Sequence, residues 1–143
     1  MSRVSTYLNF ERQTEVAFNF YKSVFGTEFT APIGRMGDVS DPNHPIAEAD
    51  KNLVMNVQLP ILGGHMLMGT DAPESMGFKL SAGNNVHIML EPDTLPEAEQ
   101  VFAALSVGGV IQMPLTKMFW GAHYGSFKDQ FGIQWMVNCT SEG

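Results

Sequence analysis

Gly64-His65-Met66-Leu67-Met68 and Gly132-Ile133-Gln134-Trp135-Met136 are two glycine-led, strand-like runs that close two similar halves of one chain. A helix pattern precedes each. Upstream of the first run lies Thr14 to Phe25, ending in Gly26; upstream of the second lies Thr94 to Ser106, ending in Gly108-Gly109. In the first helix Val16, Ala17, Phe20, Tyr21, Val24 and Phe25 recur at offsets that mark one broad apolar face. Gly26 supplies the C-cap, because left-handed backbone costs glycine little. In the second, Thr94-Leu95-Pro96-Glu97 fits a capping box with Thr94 as N-cap, and Ala98, Val101, Phe102 and Leu105 supply the buried face. Strand, helix, then three strands is therefore expected once per half, which is an α+β fold of two βαβββ modules. Spacing points the same way: Thr6 stands fifteen positions before Tyr21, and His87 fifteen before Phe102. Two such modules can wrap their sheets around a shared cavity suited to a small molecule.

The remaining strands fall between turn signals. Ser5 to Phe10 reads as the first strand, and Thr27 to Met36 is β-like with a break at Pro32-Ile33-Gly34. Gly37 to Lys51, with its prolines and acids, reads as a mobile surface excursion. Leu53 to Leu59 and His65 to Gly69 form an antiparallel pair turned by Leu62-Gly63-Gly64. The second half repeats with Asn85 to Leu90, Val110 to Met113, Gly121 to Phe127 and Ile133 to Asn138, for two helices and about eight strands. The expected organisation is a single domain of 1–143: a first module 1–71, a linker 72–84 and a second module 85–143. A half of ~60–70 residues buries too little of its unfolded surface to be comfortable alone.

Composition narrows the partners. A net charge of −7 and only eight scattered basic residues argue against nucleic acid, which is bound through clustered Lys and Arg. No run approaches the ~20 apolar residues of a membrane span, and Met1 to Phe10 lacks the pattern of a signal peptide. The lone Cys139 cannot form an internal disulfide, so a reducing cytoplasm is expected. A charged fraction of 16%, below the typical ~25%, together with ten methionines, suggests apolar surface that a dimer would cover.

Tyr7-Leu8-Asn9-Phe10, Ala17-Phe18-Asn19-Phe20-Tyr21 with Phe25-Gly26, Met68-Gly69-Thr70-Asp71, Phe119-Trp120-Gly121 and Asp129-Gln130-Phe131-Gly132-Ile133-Gln134-Trp135 span nearly the whole chain. In these motifs it resembles the PhnB-like branch of the glyoxalase, bleomycin-resistance and extradiol-dioxygenase (vicinal oxygen chelate) superfamily. The resemblance implies paired βαβββ modules, U-shaped mixed sheets and a homodimer. Sequences of this branch often carry a demethylubiquinone methyltransferase label. That chemistry needs a nucleotide-binding sheet with a glycine loop between strand and helix, whereas Gly63-Gly64 joins two strands.

Metal enzymes of the superfamily place a ligand on the first strand of each module and a carboxylate on the last. Carried over by counting, those positions fall on Thr6, Met68, His87 and Met136. Hard divalent ions want oxygen ligands, and catalytic zinc or iron wants three good donors, so the favoured expectation is no metal cofactor; the alternatives are a metal-dependent lyase, isomerase or dioxygenase of the superfamily with ligands elsewhere, such as His65 or His123, and a non-catalytic sequestration protein. His87 has two readings: a general base or hydrogen-bond donor to a ligand, or a core histidine satisfied by backbone. Met66 and Met68 share a strand face and with Met136 could offer sulfur to a soft ion, but a methionine-rich core is the favoured explanation. Trp120 and Tyr124, in Phe119-Trp120-Gly121-Ala122-His123-Tyr124-Gly125, are candidates to clamp a flat ligand or to pack at a dimer contact. The side of the strand taken by His123 is open. Asp71 reads as a cap of the following turn or as an acceptor at the cavity mouth, with the turn role favoured, Asp129 reads as a turn residue, and Cys139 has no basic neighbour to activate it. The expected ligand set is thus Thr6, Met68, His87, Trp120, Tyr124 and Met136, with His87 the candidate catalytic residue and a small organic molecule the partner.

Overall fold

Each helix buries one stripe against one face of one sheet, and this pairing organises both halves. The computed structural model describes residues 2–39 and 41–140, in two compact units, Met1–Ser81 and Ala82–Gly143. Met1, Ser40 and residues 141–143, which the expected modules include, lie outside the described residues. In the first unit β1 (Thr6–Phe10), α1 (Thr14–Phe25), β2 (Gly34–Arg35), β3 (Val54–Pro60) and β4 (Met66–Asp71) follow in order. The sheet runs β1-β4-β3-β2, with β1 parallel to β4 and the other pairs antiparallel. In the second unit β5 (Ile88–Leu90), α2 (Leu95–Leu105), β6 (Val110–Lys117), β7 (His123–Lys128) and β8 (Gln134–Cys139) form a sheet of order β5-β8-β7-β6, again with one parallel pair, β5 and β8. This is the expected βαβββ order, twice, and the α+β class. No helix among the described residues is long and apolar enough to cross a membrane.

The two buried stripes have the same spacing: Thr14, Ala17, Phe18 and Tyr21 in α1, and Ala98, Val101, Phe102 and Leu105 in α2. The expected face of α2 is met in full. That of α1 is rotated: Phe18 is buried and Val16 is 63% exposed. The sheet makes that choice, because Gly69 of β4 leaves the space where the Phe18 ring sits. In the second unit Phe102 meets Phe127 edge-on, with ring centroids 5.0 Å apart, above a fully buried Trp135.

Two buried aspartates tie elements together. Gln13 at the start of α1 makes no side-chain cap bond. Asp71 of β4 supplies it instead, accepting from Thr14 N at 3.1 Å and from Val54 N at 2.8 Å, where a carboxylate also complements the helix dipole. Asp129 accepts from Phe131 N at 2.8 Å, Ile133 N at 3.0 Å and the Trp135 indole at 2.9 Å. The turn reading of Asp129 therefore holds, and that of Asp71 is replaced by a helix-to-strand tie.

Two expectations need correction. Of Thr27 to Met36, expected to be β-like on both sides of a break at Pro32-Ile33-Gly34, only Gly34–Arg35 pairs; before the break, Thr30 N bonds Gln58 O at 3.1 Å without forming a ladder. The segment 37–51, read as a mobile excursion, is tied down near its end. Its 3-10 turn Glu48–Asp50 carries a buried Asp50, which accepts from Ser75 Oγ at 2.8 Å and from Arg12 at 3.0 Å. Arg35, meanwhile, grips Glu15 through two bonds of 2.7 and 2.9 Å.

These contacts give the first unit an acid limit. Hydrogen bonding from Ser75, helped by Arg12, holds the Asp50 carboxyl below its usual range, and the Arg35 hydrogen bonds do the same for Glu15. A carboxyl whose folded pKa is depressed contributes stability in full above its unfolded pKa and loses it as pH falls through the folded value. Urea midpoints should therefore stay level from pH 7 to about 5.5 and decline below about pH 4.5, where free carboxylates begin to protonate. The gap between the native protein and Asp50→Asn should be widest at pH 7 and begin to narrow below about pH 4, where the unfolded carboxyl protonates, closing as pH falls through the depressed folded value. A gap that widened on acidification would refute the assignment.

Candidate functional site

Strand alternation gives each sheet a face under its helix and a face without one. In the first sheet Leu67 and Gly69 lie on the α1 side with their register partners Leu59, Val57, Thr6 and Leu8. The alternate residues form the helix-free face, where Met68 stands between Tyr7 on one side and Gln58 on the other, and Asn9 stands beside Thr70. In the second sheet Gly125, Phe127, Trp135 and Val137 lie on the α2 side. Its helix-free face sets Met89 beside Met136, Met136 opposite Ser126, and Tyr124 between Asn138 and Thr116. Gln112 Nε2 donates to Gln134 Oε1 at 2.9 Å on that face. Tyr7 and Met89 are 47% and 50% exposed, so apolar surface remains accessible next to hydrogen-bonding groups.

Residues 2–138 match the family model described as 3-demethylubiquinone-9 3-methyltransferase. The protein PA1353 of Pseudomonas aeruginosa is 33% identical over 99% of this chain and 100% of its own, with a TM-score of 0.84. The chain belongs to the PhnB-like family. A putative 3-demethylubiquinone-9 3-methyltransferase, PhnB protein, from Bacillus cereus is 27% identical over 96% of this chain and 99% of its own, with a TM-score of 0.73. At the level of fold alone, a glyoxalase/bleomycin resistance protein/dioxygenase family enzyme from Burkholderia phytofirmans is similar over 94% of this chain and 97% of its own, at 16% identity and a TM-score of 0.61.

In this PhnB-like fold the residues singled out from sequence are only partly brought together. Met68 lies on the helix-free face of the first sheet, and Met136 and Tyr124 share that of the second. Thr6 does not join Met68. It pairs with Leu67 on the α1 side, and its hydroxyl is 2.8 Å from His65 Nε2. Tyr7 takes the place expected of it. The fifteen-residue count failed because it matched unlike positions: Thr6 pairs with Leu67, and the residue that pairs with Trp135, the counterpart of Leu67, is Ile88. The burial stripes likewise equate Phe102 with Phe18, not Tyr21. Alternation of Tyr7 and Asn9, which carry polar groups, with wholly apolar Leu8 and Phe10 was the signal that could have found Tyr7; the first two prove exposed and the last two buried.

His87 is half-buried, directly before β5 and two residues ahead of Met89. Trp120 lies off the sheets, 57% exposed in the turn between β6 and β7, where it meets Phe119 edge-on at 4.8 Å. His123 pairs with Cys139 on the α2 side and lines a cavity of about 320 Å³ with Leu95, Glu99, Phe102 and Leu115. Its Nδ1 is buried without a hydrogen-bond partner. Among the described residues no three His, Cys, Asp or Glu side chains gather as metal ligands.

Proposed function

We propose that this PhnB-like protein is a cytosolic homodimer that binds a small organic molecule on the helix-free faces of its sheets and uses no catalytic metal. The observation that carries the reading is the juxtaposition of Met89 and Met136 with Ser126 and Tyr124, matched on the first sheet by Tyr7 beside Met68. Thioethers mould to irregular apolar shapes, while hydroxyls beside them fix orientation. Thioether, phenol and hydroxyl donors suit neither a hard cation nor catalytic zinc, which supports a metal-independent site. Exposed Val110 and Ile111 on edge strand β6, and Phe119 at 96% exposure, are apolar area that a second copy would cover.

A methyltransferase of the nucleotide-binding type is not what this topology favours. Each sheet has a single parallel pair, and Gly63-Gly64 leads from β3 into β4 rather than into a helix. His87 is the residue proposed for proton transfer, should the ligand be turned over.

A thermal-shift survey of small metabolites tests the reading. One chemical class should raise the melting temperature, since ligand at 100 times its Kd adds about 2.7 kcal/mol. His87→Ala should abolish turnover of that compound while its Kd changes less than about threefold, or about 0.7 kcal/mol. A compound that binds and is never altered assigns the protein to sequestration instead. Stoichiometric zinc, nickel or iron in protein purified without a histidine tag would overturn the metal-free assignment.

A further inference from the structure

The helix-free faces are nearly devoid of ionisable side chains, although this is an acidic protein of net charge −7. On the first sheet the positions are Tyr7, Asn9, Gln58, Met66, Met68 and Thr70, without an Asp, Glu, Lys, Arg or His among them. On the second they are Met89, Tyr124, Ser126, Gln134, Met136 and Asn138, joined from β6 by Met113 and Thr116. The exceptions are Lys128, exposed at the end of β7 opposite Val110, and His87, which directly precedes β5 in step with Met89. Charge is present elsewhere in the same units. Asp71, the Glu15–Arg35 pair, Glu99 and His123 all stand on the helix-covered sides.

We propose that the ligand is an electrically neutral, partly apolar molecule that hydrogen-bonds through amide, carbonyl or hydroxyl groups. The inference rests on the binding reading above and specifies its chemistry. A carboxylate or phosphate entering this surface away from Lys128 at its edge would give up hydration without meeting a lysine or arginine, and desolvation of an unpaired charge costs several kcal/mol. The negative field of the whole protein adds to that disfavour. A cation would find no carboxylate on these faces. Side-chain amides, by contrast, present a donor and an acceptor together, which matches the amides and carbonyls of a neutral ligand. Asn9, Gln58, Asn138 and the Gln112–Gln134 pair supply that chemistry, with Met68, Met89 and Met136 beside them for the apolar part.

The test uses matched probes at pH 7: benzamide with benzoate and benzylamine, and 2-naphthamide with 2-naphthoate and 2-naphthylmethylamine, each titrated by ligand-observed NMR. The amides should bind at least tenfold more tightly than their charged counterparts. Met89→Arg, at a half-exposed position, should invert the order and bring 2-naphthoate above 2-naphthamide. Tyr7→Arg provides the same inversion on the first sheet if Met89→Arg fails to fold. A carboxylate or ammonium that equals the amide on the native protein overturns the neutral-ligand inference and leaves the binding reading standing. Absence of binding by all six probes overturns the binding reading and this inference with it. Unchanged selectivity in a folded arginine variant places the site elsewhere and refutes the assignment to these faces.

Discussion

Asp129→Ala will destabilise the protein by about 3–5 kcal/mol, because a buried carboxylate that accepts three hydrogen bonds leaves three donors behind. The indole of Trp135 is the most costly of them, since its ring is fully buried and its N–H loses its carboxylate acceptor. Phe131 N and Ile133 N belong to the turn that sets β8 in register with β7, so their loss also loosens the last strand. Domains of this size are held by about 5–15 kcal/mol in all, so the variant should unfold at much lower urea, and in its folded remnant Trp135 fluorescence should shift to the red. Asp129→Asn keeps one acceptor oxygen and should lose roughly half as much. The measurement is urea unfolding followed by fluorescence in a Trp120→Phe background, which leaves Trp135 as the reporter. A loss under about 1 kcal/mol would show that the aspartate is only a solvated turn residue.

The second large effect concerns two glycines that the sequence presents alike and the structure separates. A Cβ at Gly69 would stand 2.5 Å from Phe18 Cε1 and 2.9 Å from its Cζ, so the obstacle is a side chain. A Cβ at Gly125 would stand 2.7 Å from Phe102 Cε2, but also 2.9 Å from Leu115 Cα and Leu115 N, which are backbone of the neighbouring strand β6. Either alanine should cost about 2–3 kcal/mol by overpacking. Their rescue should differ. Phe18→Leu should recover a good part of the Gly69→Ala loss, giving a coupling energy of about 1 kcal/mol or more in a double-mutant cycle. Phe102→Leu should not recover Gly125→Ala, because β6 must still move away from β7. Equal rescue at both sites would mean that the Leu115 backbone yields more easily than this packing allows.

Much of the architecture was open to reading because it is written in local terms. Periods of 3.6 and 2, glycine stops at Gly26 and Gly108, and the Thr94 cap each depend on a few neighbouring residues, so they survive without knowledge of the partner strands. Thr94 Oγ1 does accept from Glu97 N, at 3.3 Å. The strand expected over Val110 to Met113 runs on through Pro114 to Lys117 by shifting register between Met113 and Thr116, a bulge that accommodates the missing donor.

By itself the sequence determined two βαβββ modules, their helices and the kind of side chain available to a ligand, because repetition and periodicity are properties of the chain. Tertiary structure alone decided which residues share a face. Moving one position along a strand reverses the side to which a side chain points, so a count that is off by one placed Thr6 where Tyr7 belongs, and only hydrogen-bonded register could correct it. The same holds for Asp71 and Asp129: their carboxylates are acceptors in any chain, but the donors that make them structural arrive from elements brought close by folding.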